Sequence, residues 1–350
     1  MKNIIKDIII QKGEPIGFDE FMELALYHPK YGYYRSSNTI IGGSGDFTTA
    51  PEISPLFGWT IAKHCQEVFQ NTDKNILEFG AGSGALAIQI MQKIPELKKY
   101  YILEVSASLK QLQFKNIKQQ LPESINKVVW LKKLPNNFEG IIIANEVLDA
   151  LPTKRFEFGK NNYELKVSKD LEWVKTTTSQ TTPINIPAFN YQTEINFMIK
   201  PWLKSLVDCS KKAHILLIDY GYNQNEYYHP QRTTGTLRCY HNHKATDNPF
   251  EYIGHQDITS SVNFSLLANI GTSLGLELTG WTTQAHFLIN LGIEQFITEI
   301  SDEYLRIKLT QQLKQLILPT AMGETFKMIG FNKNLSLKYQ GFTFDLSHKL

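Results

Sequence analysis

Two short stretches of this 350-residue chain contain residues that could bind and activate a small molecule. In the first, Glu78 precedes a run of alternating glycines that ends at Gly84, and Glu104 follows 20 residues after it. Glycine tolerates positive φ and allows the backbone to approach a ligand closely because it has no Cβ atom. A carboxylate at this distance along the chain could accept hydrogen bonds from both hydroxyls of a ribose. The stretch therefore predicts a site for an adenosine-containing cofactor.

The identity of that cofactor depends on the residues around the glycines. Residues 80–85 also fit the G-x-G-x-x-[GA] pattern of dinucleotide-binding proteins, in which a pyrophosphate binds at the helix N-terminus. S-adenosylmethionine has no phosphate, but it has an amino-acid tail whose ammonium group Glu78 could bind. We therefore favour S-adenosylmethionine, and a dinucleotide or a purely structural turn are the alternatives. The predicted cofactor-binding residues are Glu78, Gly80, Ala81, Gly82, Ser83, Gly84, Glu104 and Asn145.

The second stretch places Asn145, Glu146 and Asp149 directly after a predicted strand. Ligands of open α/β sheets bind beyond the carboxyl ends of the strands, so this stretch should face the same crevice as the glycines. A guanidinium is a poor nucleophile because it is delocalised and always charged. Two carboxylates that hold two of its nitrogens could leave the third nitrogen more nucleophilic. Glu146 and Asp149 are thus predicted as a catalytic clamp, and a helix cap plus a surface ion pair is the equally weighted alternative.

Short apolar runs that alternate with amphipathic helices must position these residues. Continuous apolar runs are typical of buried parallel strands, and strand–helix alternation indicates right-handed crossovers. Helices are expected at 18–27 and 55–69. The pattern predicts an α/β fold of the Rossmann-like class, with a seven-stranded, mostly parallel sheet flanked by helices. The predicted strands are 75–79, 100–105, 127–131, 140–144, 214–218, 276–281 and 326–331.

The domain organisation follows from the same pattern. Residues 1–57 are predicted as an N-terminal helical segment that covers the active site, and residues 58–350 as the main domain. Two insertions interrupt that domain. Residues 155–190 resemble a β-hairpin, whereas residues 222–260 form a long polar stretch without periodicity, which is typical of a functional loop such as a lid.

Composition and charge exclude several functional classes. The net charge is only +2, and the 36 basic residues are scattered, so a nucleic-acid partner is not expected. The three cysteines lie far apart without a CxxC pair, which argues against a disulfide framework and a metal site. There is no apolar run long enough to span a membrane and no targeting segment in view, so a cytoplasmic protein is expected.

Motifs spread over nearly the whole chain resemble those of one family. Among them are Gly45-Asp46-Phe47-Thr48-Thr49-Ala50-Pro51-Glu52, the glycine turn, Ala144-Asn145-Glu146-Val147-Leu148-Asp149-Ala150-Leu151-Pro152, Ile218-Asp219-Tyr220-Gly221, Gly235-Thr236-Leu237-Arg238 and Asp257-Ile258-Thr259. The chain is similar to the MidA-like methyltransferases, which are relatives of a mitochondrial complex I assembly factor that methylates a protein arginine.

The resemblance implies a class I methyltransferase fold, S-adenosylmethionine as cofactor and a protein arginine as substrate. It also implies that the loop from Asp46 through Thr49, Pro51 and Glu52 closes over cofactor or substrate. The Lys- and Asn-rich composition indicates a bacterial chain, and a homodimer is a possible assembly. The alternatives are a non-catalytic assembly or binding protein with the same fold and, less favoured, an NAD-dependent oxidoreductase.

Overall fold

The computed structural model describes residues 1–35, 48–181 and 190–350. The chain divides into two compact units, each assembled from three segments. The large unit consists of Thr48–Val147, Trp202–Gly221 and Phe264–Leu350. The small unit consists of Met1–Phe47, Leu148–Pro201 and Tyr222–Asn263.

The helices of the described residues, in chain order, are α1 (Lys2–Lys12), α2 (Phe18–Tyr27), α3 (Ala50–Ile53), α4 (Pro55–Val68), α5 (Ala85–Lys93), α6 (Ala107–Gln120), α7 (Ile199–Cys209), α8 (Gln224–Tyr227), α9 (Phe264–Ser273), α10 (Gln284–Asn290), α11 (Gln295–Thr298) and α12 (Glu303–Ile317). The predicted helices at 18–27 and 55–69 are both confirmed. Helix α1 was not predicted, because Lys6 and Asp7 interrupt its apolar residues, of which Ile5 and Ile9 are buried. None of the described helices has the length and apolar composition needed to cross a membrane.

The strands, in chain order, are β1 (Asn75–Phe79), β2 (Lys99–Leu103), β3 (Val128–Leu131), β4 (Phe138–Asn145), β5 (Lys154–Phe158), β6 (Tyr163–Val167), β7 (Trp173–Thr177), β8 (Tyr191–Ile195), β9 (Ser210–Tyr222), β10 (Arg238–His241), β11 (Lys244–Thr246), β12 (Asp257–Thr259), β13 (Val262–Asn263), β14 (Glu277–Thr283) and β15 (Phe326–Lys333).

The central sheet of the large unit follows the order β14-β15-β9-β4-β1-β2-β3. The strands from β9 to β3 are parallel, and β15 is antiparallel to both β9 and β14. Seven mostly parallel strands were predicted, and this order confirms them for the large unit. Strand β9 is longer than the predicted 214–218 because its pairing with β4 begins at Ser210 and its pairing with β15 continues through Asp219 and Tyr220.

The core of the large unit lies against this sheet. Helix α4 buries Phe57, Ile61 and Cys65 at four-residue spacing, as its sequence predicts. The strands contribute fully buried aliphatic side chains, such as Ile141 and Leu216. Because these side chains are buried in the core, the ends of the strands are held in place. The candidate site residues lie at or directly after those ends.

The small unit contains two antiparallel sheets. One has the order β7-β6-β5-β8 and the other β11-β10-β12. Residues 155–190 were expected to form a β-hairpin, and the structure has a four-stranded sheet there, because β8 returns to pair with β5. The stretch 222–260 was expected to be an irregular loop, and it contains the three-stranded sheet. Its strands are too short, three or four residues each, to produce a clear alternation in the sequence.

Candidate functional site

The glycine turn connects β1 to α5 in the large unit. Gly80, Gly82 and Gly84 have φ values of 60°, 55° and 88°, in the left-handed region that side chains with a Cβ rarely adopt. The Gly80 amide donates to the carbonyl of Leu103 at the end of β2, at 3.1 Å. Gly84 is the N-cap residue of α5. All three glycines are therefore required by the backbone, as expected for a ligand-binding turn.

Glu104 follows β2 and is almost completely buried. Its Oε1 accepts a hydrogen bond from the Ser106 amide at 2.9 Å, and its Oε2 accepts one from Gln113 Nε2 at 3.1 Å. Burial raises the pKa of Glu104, and these hydrogen bonds oppose that shift. Each carboxylate oxygen can accept a second hydrogen bond, so both remain able to bind the hydroxyls of a ribose.

Gln113 is a site residue that the sequence analysis missed. Its Nε2 also donates to the carbonyl of Gly82 at 3.0 Å, and its Oε1 accepts from Trp130 Nε1 at 2.9 Å. One fully buried amide thus connects the glycine turn to Glu104. The signal was available, because Gln113 occupies a position four residues from both Leu109 and Ile117 on the buried face of α6.

The carboxyl group of Glu78 is buried in the interior beside the glycine turn. The Tyr100 hydroxyl donates to its Oε2 at 2.7 Å. Burial raises the pKa of Glu78 to about 8; the Tyr100 bond opposes this shift and the charge of Glu104 adds to it. The carboxyl is therefore largely protonated at neutral pH until a cation approaches it. An ammonium group would restore the carboxylate, which fits the predicted contact with the amino-acid tail of the cofactor.

Asn145 is the last residue of β4 in the large unit, and Glu146 follows it directly. Asn145 Nδ2 donates to Glu146 Oε1 at 3.2 Å, whereas the buried Oδ1 of Asn145 accepts no hydrogen bond from the described residues. Glu146 has a φ of 54°, and its amide donates to the carbonyl of Ile218 at 2.9 Å. A positive φ in a residue other than glycine is costly and is found mainly at functional sites. The backbone of Glu146 is therefore fixed by its neighbours.

The predicted cover loop is described in part. Asp46 lies outside the described residues, whereas Thr49 is the N-cap residue of α3 and Pro51 and Glu52 lie within that helix. Ser83 of the glycine turn donates a hydrogen bond from its hydroxyl to the Glu52 carboxylate. The carbonyl of Pro51 accepts from Gln89 Nε2 at 2.7 Å, which ties α3 to α5. The described part of the loop is thus attached to the glycine turn. Ala81, a predicted cofactor-binding residue in that turn, is buried.

Asp149 belongs to the small unit and is 6% exposed. The Tyr34 hydroxyl donates to Asp257 Oδ1 at 2.8 Å in the same unit. Burial raises the pKa of Tyr34 well above its usual value, and the negative charges of Asp257 and Asp149 add to that shift. The residues between β4 and β5 form bends and turns, so neither Glu146 nor Asp149 caps a helix there, and the helix-cap part of the alternative is wrong. The guanidinium clamp stays a prediction.

A family model for S-adenosyl-L-methionine-dependent methyltransferases matches residues 60–282, which is well over half of the chain. The chain belongs to this methyltransferase family. Its fold is that of a COG1565 superfamily protein from Burkholderia thailandensis solved with S-adenosyl-homocysteine bound. That structure has a TM-score of 0.94 and 32% sequence identity, and the match covers all of this chain and 96% of the other.

Curated relatives agree with this assignment. The chain is 28% identical to the zebrafish (Danio rerio) mitochondrial protein arginine methyltransferase NDUFAF7, across 93% of this chain and 86% of the relative. The identity to the human protein of the same name is 26%, across 91% of this chain and 80% of the relative. The family predicted from the sequence motifs is confirmed, and so is its Rossmann-like fold.

The cofactor is S-adenosylmethionine, as predicted, and the dinucleotide alternative is wrong. The residues present fit it, because Glu104 has free acceptor capacity for hydroxyls and the buried Oδ1 of Asn145 lacks a donor among the described residues. When bound, the cofactor supplies an electrophilic methyl group. Glu104 would bind the ribose, Glu78 the ammonium, and the three glycines would keep side chains out of the cofactor's path. The protein is therefore a methyltransferase, and these residues, which would hold its methyl donor, lie in the large unit.

Proposed function

We propose that this methyltransferase modifies an arginine side chain of a protein partner. The observation that carries the proposal is the match to relatives named protein arginine methyltransferases over about nine-tenths of the chain. The resemblance to the complex I assembly factor makes subunits of respiratory complexes the partner class to test first. Arginine chemistry also gives a role to the two acids at 146 and 149, which cofactor binding leaves without one.

In the proposed reaction, Glu146 and Asp149 hold the substrate guanidinium through two of its nitrogens. This geometry concentrates the positive charge on their side and leaves the third nitrogen able to attack the methyl group in line. The new bond is N–CH₃, the sulfonium–carbon bond breaks, and the guanidinium loses one proton, which a clamp carboxylate accepts from a nitrogen that it holds. The positive φ of Glu146 supports this role, because strained backbone conformations of this kind cluster at functional sites.

The test is a methyl-transfer assay with isotopically labelled S-adenosylmethionine and fractions of respiratory complex subunits, followed by acid hydrolysis and identification of the labelled amino acid. Label is expected in methylated arginine. Glu146→Gln should lower transfer by at least about a hundredfold, the scale of a lost transition-state contact, and leave cofactor affinity unchanged by calorimetry. Glu139→Gln is the matched control, because Glu139 lies on β4, the strand that precedes Glu146, and pairs with Lys211.

Each alternative result has a definite meaning. Label in another amino acid would refute arginine as the substrate while leaving the methyltransferase assignment intact. Full activity of Glu146→Gln would refute the clamp. Cofactor binding without transfer to any protein would favour the non-catalytic assembly protein.

A further inference from the structure

A cavity of about 450 Å³ lies within the small unit, and none of its lining residues has been assigned to methyl transfer. Its volume is within the range of small-molecule and side-chain sites, roughly 300–1,000 Å³. Buried and half-buried side chains form its floor, among them Arg155, Trp173 and Leu237. Exposed side chains form its rim, including Glu172, Arg238 and Asp247.

Arg155 is the buried cation of the floor, with 8% of its surface exposed. Its Nη2 donates to Gln192 Oε1 at 3.1 Å and to the carbonyl of Thr234 at 3.0 Å. Its guanidinium carbon lies 4.9 Å from the centre of the Trp173 ring. These contacts hold the planar guanidinium in one orientation, so its binding geometry is formed before any ligand arrives.

A buried glutamate outside the cavity lining balances the charge of Arg155. Glu194 is fully buried, does not line the cavity, and places Oε1 3.5 Å from Arg155 Nε. Its Oε2 accepts from the amide and the hydroxyl of Thr236 at 2.7 and 3.1 Å. A Cβ at Gly235 would come within 2.5 Å of Glu194 Oε1, and the φ of Gly235 is +79°. Only glycine suits that position.

These contacts give a role to the Gly235-Thr236-Leu237-Arg238 motif, which the methyl-transfer site leaves unused. Gly235 makes room for Glu194, Thr236 holds it, and Leu237 and Arg238 line the cavity. The motif therefore builds a wall beside the fixed guanidinium of Arg155, which lines the same cavity. A planar guanidinium with an apolar surround is suited to a carboxylate on a hydrocarbon stem.

The rim selects among anions. Glu172 and Asp247 are both exposed at the mouth, where they would repel a dianion such as a phosphate group and attract a cation. Phe250 lines the cavity with its ring centre 5.0 Å from that of Trp173, which provides an apolar surface for methylene groups. The complementary ligand carries a carboxylate that enters the cavity and a basic group that stays at the mouth.

We propose that this cavity binds a peptide segment in which an acidic side chain is followed closely by a basic one. The acidic side chain contacts Arg155, and the basic side chain contacts Glu172 and Asp247. The inference extends the proposed function, since a protein substrate would present such a segment. It is tested by binding alone, without cofactor or methyl transfer, so its failure is distinguishable from a failure of the arginine proposal.

The experiment is a titration of fluorotryptophan-labelled protein, followed by ¹⁹F NMR, with the capped peptide acetyl-Glu-Gly-Lys-amide. Trp173→Phe identifies the Trp173 resonance. That resonance should shift saturably, and acetyl-Gln-Gly-Lys-amide should bind about tenfold more weakly, equivalent to about 1.4 kcal/mol. The double variant Arg155→Met with Glu194→Gln removes the buried pair without leaving one charge behind, and it should abolish the shift.

Arg238→Gln should weaken binding less than the double variant, because Arg238 is exposed at the rim. Arg232→Gln is the matched control, as Arg232 packs on Tyr222 and does not line the cavity; its binding should be unchanged. The proposal is overturned by the absence of a saturable Trp173 shift, by equal binding of the Glu and Gln peptides, or by full binding to the double variant. Equal binding of free glutamate would also overturn it, because the site would then recognise a small molecule.

Discussion

The buried glutamates of the two units have different partners. In the large unit, Glu78 and Glu104 accept hydrogen bonds from neutral donors, and neither has a basic side chain within ion-pair distance among the described residues. In the small unit, Glu194 faces Arg155 and Glu157 pairs with Lys175. Within the described part of the chain, Glu78 and Glu104 therefore have no basic partner until a ligand supplies one. Glu194 and Glu157, in contrast, each face a basic side chain of the protein.

This difference distinguishes glutamates that are suited to binding a ligand from glutamates that stabilise the fold. A buried carboxyl group without a cation has a raised pKa and costs free energy when ionised, so it is retained where a ligand compensates for it. A buried ion pair has already compensated itself, and breaking it leaves one charge exposed to the low dielectric of the interior. Substitutions in the two units should therefore affect different properties.

The largest effect is expected for the ion pair of the small unit. Arg155→Ala should lower the free energy of unfolding by about 3–5 kcal/mol, because Glu194 would remain buried and charged. Urea unfolding measures this loss. The double variant Arg155→Met with Glu194→Gln should recover most of it, and a single substitution that costs no more than the double one would contradict the comparison.

Replacing Glu78 should have the opposite effect and raise the free energy of unfolding. Its pKa rises from 4.5 in the unfolded chain to about 8 in the folded protein, so folding binds a proton and the stability from this group falls as pH rises between these values. Glu78→Gln should thus stabilise the cofactor-free protein, by little at pH 4.5 and by about 4–5 kcal/mol near pH 8. Thermal unfolding across this pH range is the measurement. A stability difference that does not change with pH would show that Glu78 ionises freely.

A smaller effect, confined to binding, is expected for Glu104. Glu104→Ala should weaken affinity for S-adenosylmethionine by about 1.5–3 kcal/mol, the scale of hydrogen bonds to a charged group. Calorimetry gives this value, with NAD as the control ligand and Glu96→Ala, at an exposed ion pair, as the control variant. Unchanged affinity would remove Glu104 from the ribose site.

The smallest effect is expected for Gln113. Gln113→Leu keeps most of the buried volume but removes the bonds to Gly82 and Glu104, so cofactor affinity should fall by about 1 kcal/mol. Gln111→Leu, on the exposed side of the same helix, should leave the affinity unchanged. If both variants bind equally well, the link between the glycine turn and Glu104 has no role in binding.

The sequence predicted the large unit well because its signals are local. Apolar runs mark each parallel strand, and glycines mark the turn whose three φ values are positive. The small unit was harder to predict, since its sheets join residues that are far apart in the chain. Ile16 pairs with Val167, and Gln192 pairs with Thr234, and no pattern in either segment indicates its partner.

The residues of the candidate site differ in the same way, because some were predictable from local sequence and others were not. Glu104 follows the glycines at a recognisable distance, whereas Gln113 acts through a three-dimensional contact that spacing does not encode. The wall around Arg155 is assembled from four strands and loops of the small unit, so its motif was recognisable in sequence while its purpose was not. Local chemistry was predictable, and chemistry assembled from distant segments was not.

The position of β15 between β9 and β14 has a consequence for synthesis. Strand β9 pairs with β4 on one side, but its other neighbour lies about 100 residues further along the chain. At about 5–20 residues per second, a ribosome needs roughly 5–20 s to deliver it. During that interval the nascent chain presents an open, apolar strand edge, which is a template for misassociation. Premature termination before residue 326 would make that exposure permanent, so truncated products of this chain should be aggregation-prone substrates for chaperones and proteases.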